Sequence, residues 1–305
     1  MPAQFFAFGE ILWDCLPSGR HAGGAPFNVA AHLAQFGFGS ALVSAVGEDA
    51  LGDEILQIAT DKGVDASFVS RAQCGLATGT VNVTVDARGD ATYEIVQPVA
   101  WDQIRVPAEA LAAVAQARGL IFGTLAARAP FNREQLDRLL AVEGPLKFFD
   151  VNLRAPFDDP STAIDLARRA DVIKLNDAEI GQLARSLEPG EAMPITPRTE
   201  SELKTACAIL TEATGVTRIC VTLAAAGAAW WEAGHLVRVP APVVAVRDTV
   251  GAGDAFMAAL MIGLTGERPI REVLTAACSV GAYVASQDGA IPRLPRDLAE
   301  QILRR

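Results

Sequence analysis

Six short apolar runs, FFAFG, ALVSAVG, GLIFGTL, PLKFFDVN, DVIKLN and RICVTL, recur between stretches of helical periodicity, and most of them end in Gly, Asn or Asp. A strand that is apolar at nearly every position has no face to give to water, so it must be covered on both sides. A parallel sheet with crossover helices packed on each face does this. The intervening segments 25–36, 51–62, 132–142, 177–187, 201–213, 252–264 and 270–286 read as those helices. The expected body is therefore α/β, a doubly wound, mostly parallel sheet flanked by helices, with ligands at the carboxyl ends of the strands. Half of the 305 residues are apolar and a fifth are charged, which supplies a large core and excludes disorder as the main state.

Two segments break the rhythm. Residues 79–86 (GTVNVTVD) and 91–96 (ATYEIV) alternate strictly and are joined by the turn-like 87–90. They predict an antiparallel hairpin with Val81, Val83 and Val85 on one face and Asn82 and Thr84 on the other. With a strand around 13–20, the hairpin would form a small sheet, built from about 12–22 and 79–98, standing off a single domain that spans 1–305. It would serve as a lid or a dimer face, or else be an ordinary edge hairpin of the main sheet. Residues 188–199, rich in Pro and Gly, read as a surface loop and not as a domain linker.

Charge narrows the partners. There are 26 Lys and Arg against 36 Asp and Glu, a net charge of −10. Such a surface repels phosphate backbones and anionic headgroups, so neither nucleic acid nor membrane is an expected partner. The N-terminal stretch lacks the charged and apolar regions of a signal peptide, and no apolar run approaches the ~18 residues of a membrane helix. The five cysteines form an odd set without a CxxC pair, and the three histidines lie far apart, so neither disulfide nor zinc spacing is present. A cytoplasmic protein with reduced thiols is expected.

The sharpest chemical signal is Asp248-Thr249-Val250-Gly251-Ala252-Gly253-Asp254, followed by an apolar helical run. Two glycines at a helix start let a ligand approach the backbone. The N–H groups of Gly251, Ala252 and Gly253 would then point at one place, with the positive end of the helix dipole behind them. That arrangement suits the charge of a phosphoryl group in transfer, and Asp254 at the same helix start could accept the proton of an attacking hydroxyl. A plain capped helix has the same local pattern. No G-x-x-x-x-G-K-[ST] occurs, so a P-loop is excluded; the glycines come too late, and Phe256 stands where a dinucleotide fingerprint needs its third glycine. A second glycine pair, in Gly23-Gly24-Ala25-Pro26-Phe27-Asn28, also precedes a helix. It would admit a small polar ligand to which Asn28 offers donor and acceptor, or simply form a loop with Pro near the helix start.

GGAPFN at 23–28 together with DTVGAGD at 248–254 resembles the two signatures of the PfkB (ribokinase-like) carbohydrate kinases, in the family's order and separation. GEILWD at 9–14, the hairpin at 79–96, DVNLR at 150–154, NDAE at 176–179 and VTLAAAG at 221–227 fall in the same order, so the similarity covers essentially the whole chain; within the family the pattern is most similar to fructokinases. The resemblance implies a ribokinase-like fold with a small β-sheet lid and an ATP-dependent sugar kinase, with fructose to fructose 6-phosphate as the leading reaction. It implies Asp254 as catalytic base, Gly251, Ala252 and Gly253 as the anion hole, and Asp14, Gly24 and Asn28 as contacts to sugar hydroxyls. Arg154 would reach the transferring phosphate or the sugar. Asn176 and Glu179 match the NxxE motif that orders the nucleotide phosphates and, from Glu179 through water, Mg²⁺. Thr222 and Gly227 match nucleotide-binding positions, and Asp248 and Val250 lie where many members bind K⁺. Without the family, Asn176 and Glu179 fit a helix capping box equally well.

Departures from the family pattern carry expectations of their own. Ala224 stands where the family usually has Gly, so the backbone there is expected slightly farther from the nucleotide. A kinase for another small carbohydrate, 2-keto-3-deoxygluconate or ribose, is the nearest alternative; an acid sugar would want a cation such as Arg105, Arg154 or Arg88. A sugar-binding regulator without turnover is a third reading, against which the intact Asp254 and NxxE pair argue. A homodimer through the lid is the expected assembly.

Overall fold

The computed structural model describes residues 3–16, 19–73, 75–85, 91–188 and 193–303. Its first half runs β1 (Phe5–Phe8), β2 (Leu12–Leu16), β3 (Gly19–Gly23), α1 (Ala25–Gln35), β4 (Ser40–Val46), α2 (Ala50–Asp61), β5 (Val64–Asp65), β6 (Val69–Arg71), β7 (Thr80–Val85), β8 (Ala91–Ile95), α3 (Ala108–Val114), β9 (Gly119–Gly123) and α4 (Pro130–Leu140). The second half adds β10 (Leu146–Asp150), α5 (Pro160–Ala167), β11 (Val172–Asn176), α6 (Asp177–Leu187), α7 (Glu200–Thr214), β12 (Arg218–Thr222), β13 (Ala228–Glu232), β14 (His235–Val239), α8 (Ala252–Thr265), α9 (Ile270–Ala285) and α10 (Arg296–Leu303).

All six apolar runs are strands of one sheet, ordered β14-β13-β12-β11-β10-β9-β1-β4-β5, with β6 continuing beside β4. From β12 across to β5 every pairing is parallel, and β13 and β14 close the far edge as an antiparallel hairpin. The period of two in a strand splits each run between two cores. Phe5 and Ala7 of β1 pack with Phe27, Leu33, Met257 and Val280 of α1, α8 and α9. Phe6 and Phe8 pack with Phe149, Leu183 and Leu203 on the other face, which α3 to α7 cover. Each such side chain taken out of water contributes about 1.5–3 kcal/mol, so the two helical layers are what hold the sheet. The chain passes from β1 to β4 on one side and returns to β9 on the other. The crevice at the carboxyl ends of β1 and β9 is where that reversal opens the sheet.

The predicted hairpin is present: β7 and β8 pair antiparallel, with Val81 opposite Ile95 and Val85 opposite Ala91. Val81 is buried; the connection at 86–90 and the side chains of Val83 and Val85 lie outside the described residues. The single strand expected around 13–20 is instead two, β2 and β3. β3 pairs antiparallel with β2, and β2 runs parallel to β7, which gives a separate four-stranded sheet in the order β3-β2-β7-β8. Among the described residues no helix is long and apolar enough to cross a membrane, and Cys15, Cys207, Cys220 and Cys278 are free thiols.

Candidate active site

The site assembles where β1, β9, β10 and β11 end. α1 starts hard against the end of β1: its N-cap Gly24 has φ +110°, and a Cβ there would stand 2.5 Å from the Glu10 carbonyl oxygen, so only glycine fits. This approach places Asn28, in the first turn of α1, against the first turn of α8. Its Nδ2 donates to Asp254 Oδ2 at 2.8 Å, while its Oδ1 is buried without a partner. An unpartnered buried amide oxygen costs about 1–3 kcal/mol, which a ligand hydroxyl would relieve.

Asp254 is half-buried at the start of α8. Burial pushes its carboxyl up to about 6, and the neighbouring Asp150 carboxylate adds to the effect; the Asn28 amide, Lys174 and Arg154 oppose it. α8 has no side-chain cap, and its N-cap Gly251 sits at φ +77° with its Cα packed against Ala290. Of the three N–H groups expected to be unpaired, Ala252 donates to the Thr249 carbonyl at 3.3 Å, and those of Gly251 and Gly253 have no protein partner among the described residues. The buried His32 of α1 bonds the Ala290 carbonyl through Nε2 at 3.0 Å, fixing the segment that packs on Gly251. Burial holds its imidazole down at about 4, so it is neutral there.

Charges crowd this end of the sheet. Glu10, buried, is pushed by that burial up to about 7, against the backbone N–H groups of Glu10 and Ala25. It lines a cavity of about 10 Å³, room for about one water, with Gly123, Thr124, Asp150 and Asn152. Asp150 ends β10 and Lys174 lies on β11 directly opposite it; Lys174 Nζ donates to both Asp150 oxygens at 2.9 Å. Burial works against the ammonium, but Asp150 and Glu179 outweigh it and raise the Lys174 pKa. Asn176 and Glu179 form the capping box of α6: Asn176 Oδ1 accepts from Glu179 N at 2.8 Å and Glu179 Oε2 from Asn176 N at 2.8 Å. Glu179 Oε1 also accepts from Leu153 N at 2.9 Å, which ties the DVNLR segment to NDAE. Burial raises this carboxyl as well.

The remaining predicted residues fall around this centre. Asp14 on β2 sits opposite His21 of β3 and packs on Gly23, where any Cβ would collide with its carboxylate. Burial raises its carboxyl, with His21 and Arg154 opposing. Arg154 is exposed, donates to its neighbour Leu153 O at 3.1 Å, and lends its charge to Glu10, Asp14 and Asp254. Thr222 ends β12 beside β11, its Oγ1 3.4 Å from Leu175 O, and Gly227 at φ +96° packs on Val239. Asp248 closes the turn before α8, accepting from Val250 N at 2.9 Å and from Gly289 N at 3.2 Å. Ala224 takes φ +49°, the left-handed conformation that glycine would adopt freely. The sequence reading assigned no role to Lys174, Asp150 or Glu10. Their signal was present, since a Lys or Asp inside a run such as VIKLN or KFFD cannot be buried there without a partner.

The centre thus joins a desolvated carboxylate, free backbone donors and a cluster of compensating charges, the parts that a phosphoryl transfer uses. The chain is similar to known proteins along its whole length. The chain is 29% identical over 315 residues to the fructokinase of Klebsiella pneumoniae, covering 97% of each chain. The fold is similar to that of the Xylella fastidiosa fructokinase crystallised with ATP, at TM-score 0.81 and 24% identity over 99% of this chain and 98% of that one. It is equally similar to the Arabidopsis thaliana ribokinase crystallised with ribose and ATP, at TM-score 0.81 and 22% identity over 100% and 99%. These neighbours make the fold ribokinase-like. With the family model for pfkB family carbohydrate kinases matching residues 16–297, the chain belongs to that family and is a sugar kinase.

Proposed function

We propose that this protein transfers the γ-phosphoryl group of ATP to a primary hydroxyl of a sugar, with fructose, giving fructose 6-phosphate, as the first substrate to test. The observation that carries the reading is the contact between Asn28 and Asp254 at the start of α8. It orients a carboxylate held near 6 beside the free N–H groups of Gly251 and Gly253. At neutral pH Asp254 is ionised and takes the proton of the hydroxyl as it attacks, while the free N–H groups of Gly251 and Gly253, on either side of Ala252, form the anion hole for the charge of the moving group. Asp14, Gly24 and the unpaired Oδ1 of Asn28 hold the sugar hydroxyls, which leaves the attacking oxygen at Asp254. Thr222 and Gly227 line the nucleotide, and Arg154 reaches the transferring phosphate or the sugar.

Mg²⁺ fits through water. Among the described residues no cluster of three or more acidic, His or Cys side chains could hold a metal directly. Both oxygens of Glu179 already accept one backbone N–H each and keep a lone pair for a metal-bound water. Bound with the nucleotide, the ion neutralises phosphate charge; Asn176 and Glu179 are the residues that would hold its water shell. Asp248 and the Val250 carbonyl would hold K⁺, Asp248 also using one lone pair per oxygen on the backbone. The four-stranded sheet of 12–22 and 79–98 is a lid that closes over the sugar to exclude water, and its open edge is the dimer contact.

An acid sugar is the second reading, carried by Arg154, whose charge bears on Asp14 and Asp254. Arg105 is instead occupied by Gln73 and the Phe131 ring, and Arg88 lies outside the described residues. The test is a sugar panel with ATP and Mg²⁺ in a coupled ADP assay. Fructose with the highest kcat/KM is the expected result; 2-keto-3-deoxygluconate ahead of it would replace the substrate, and binding without ADP release from any sugar would make the protein a regulator.

A further inference from the structure

A buried ion pair is weak ground for stability, because desolvation takes back most of what the attraction gives. Lys174 and Asp150 are nonetheless buried, with side chains 9% and 5% exposed, among apolar strand neighbours such as Phe148, Phe149, Ile173 and Leu175. Their place in the sheet explains what they do instead. As cross-strand partners, Asp150 at the end of β10 and Lys174 in the middle of β11, they point to the same face. That face meets the first turn of α8, where Lys174 Nζ lies 3.3 Å from the position a Cβ on Gly253 would take. The ammonium is therefore packed directly against the turn that carries Asp254 and the free N–H groups. Asp150 receives two of its protons and leaves the third for whatever occupies that turn.

We propose that Lys174 is a positioning residue of the transfer step, held by Asp150 beneath the first turn of α8 so that its charge faces both the Asp254 carboxylate and the incoming phosphoryl group. The inference rests on the kinase reading with Asp254 as base. The groups that face Asp254 are Asp150 of β10, Lys174 of β11, Asn28 of α1, Arg154 after β10 and Glu10 after β1, with Glu179 of α6 facing Lys174 in turn. Within this set Lys174 favours the ionised base and Asp150 disfavours it. Two residues that form one ion pair thus act on the base with opposite signs, so single variants at the two positions should move its titration in opposite directions.

The experiment is the pH profile of kcat/KM for the full chain with ATP, Mg²⁺ and the best sugar of the panel. Lys174→Met should move the acid limb up by about one pH unit and lower kcat about tenfold or more; Asp150→Asn should move the limb down. Lys174→Arg, which keeps the charge, should restore the wild-type limb. The double variant Asp150→Asn/Lys174→Met removes both charges, so it should melt near the wild type and still turn over slowly. Limbs that stay put, or that move the same way in both single variants, would overturn the inference, as would a double variant with wild-type kcat. If Lys174→Met does not fold, the Asp150→Asn limb decides alone. Asp254→Asn, run alongside, separates the two readings: wild-type turnover in that variant removes the base and the inference together, whereas an inactive one with unshifted single-variant limbs removes only the role of Lys174.

Discussion

Where Asn28, Glu10, Asp150, Lys174 and Asp254 meet, the site is made of side chains that are wholly or partly buried and locked to one another across four elements. At the turn 224–226 and from Val243 to Gly251 it is open: Ala224 and Gly251 hold left-handed turns, Val243 is fully exposed, and Val246 and Val250 are more than half exposed. In the proposed function the first region faces the sugar and the moving phosphoryl group, and the second the nucleotide. The difference has a physical reason. A base must be desolvated for its pKa to sit near neutrality and for its partners to act at low dielectric. A nucleotide brings its own charge and aromatic surface, and needs only unblocked donors and an apolar shelf that its binding covers. Substitutions in the first region should therefore act on kcat, and those in the second on the nucleotide or metal requirement.

The largest effect should come from the base. Asp254→Asn keeps the shape and the Asn28 contact but cannot accept a proton, and kcat should fall by ~10² to 10⁴ with the sugar Kd from calorimetry little changed. A variant within a few-fold of wild type would remove the distinction between the two regions. Next is Glu179, which stands on the boundary. Glu179→Gln should raise the Mg²⁺ concentration for half-maximal rate several-fold while sugar binding without nucleotide stays the same, because the neutral amide gives up the carboxylate charge and keeps only one of the two oxygens that accept from Leu153 N and Asn176 N. Unchanged Mg²⁺ dependence would leave Glu179 with the capping role alone, which the hydrogen bonds to Asn176 and Leu153 already fill.

This split also marks what the sequence could tell. The parallel sheet was legible because strands buried on both faces write themselves as apolar runs, and seven helices were placed within a residue or two of their observed ends. The short helices α3, α5 and α10 and the strand pair β13-β14 were passed over, since a segment of seven or eight residues or an amphipathic hairpin gives too few turns for a period to emerge. In the candidate site, glycines before a helix mark Asn28 and Asp254 locally, whereas Asn176 and Glu179 read alone as a helix cap and take a site role only from the family resemblance. Lys174 and Asp150 were not, because their meaning lies in a register between strands 24 residues apart, which no local pattern carries.

A third effect is smaller and concerns the wild type. With the Asp254 carboxyl raised by burial to about 6, the reactive ionised form is complete above pH 7 and is lost as pH falls through 6. kcat/KM should therefore halve near pH 6 and drop about tenfold for each further unit of acid. Glu10, raised by burial to about 7, is already protonated as Asp254 titrates, so the Glu10→Gln variant should leave the limb near pH 6. A limb at the ordinary carboxylate range near 4 would mean that the base is solvated and that the first region is no more enclosed than the second.

The smallest effect lies in the open region. Ala224 is exposed and holds φ +49° in the turn after β12, so its Cβ gains no packing and strains the backbone by roughly 1 kcal/mol. Glycine removes that strain but adds freedom to the unfolded chain, a cost of about 0.4–1 kcal/mol, so Ala224→Gly should change stability by less than about 1 kcal/mol in a denaturant titration. The turn lies next to Thr222 and Gly227, and removing the methyl lets the backbone approach a nucleotide more closely. The KM for ATP should fall by a factor of a few, with the KM for sugar and kcat unchanged. If the substitution moves kcat or the sugar KM and leaves ATP alone, the turn after β12 belongs to the buried region, and the division between enclosed chemistry and open nucleotide binding fails at a residue where the family resemblance leads one to expect glycine.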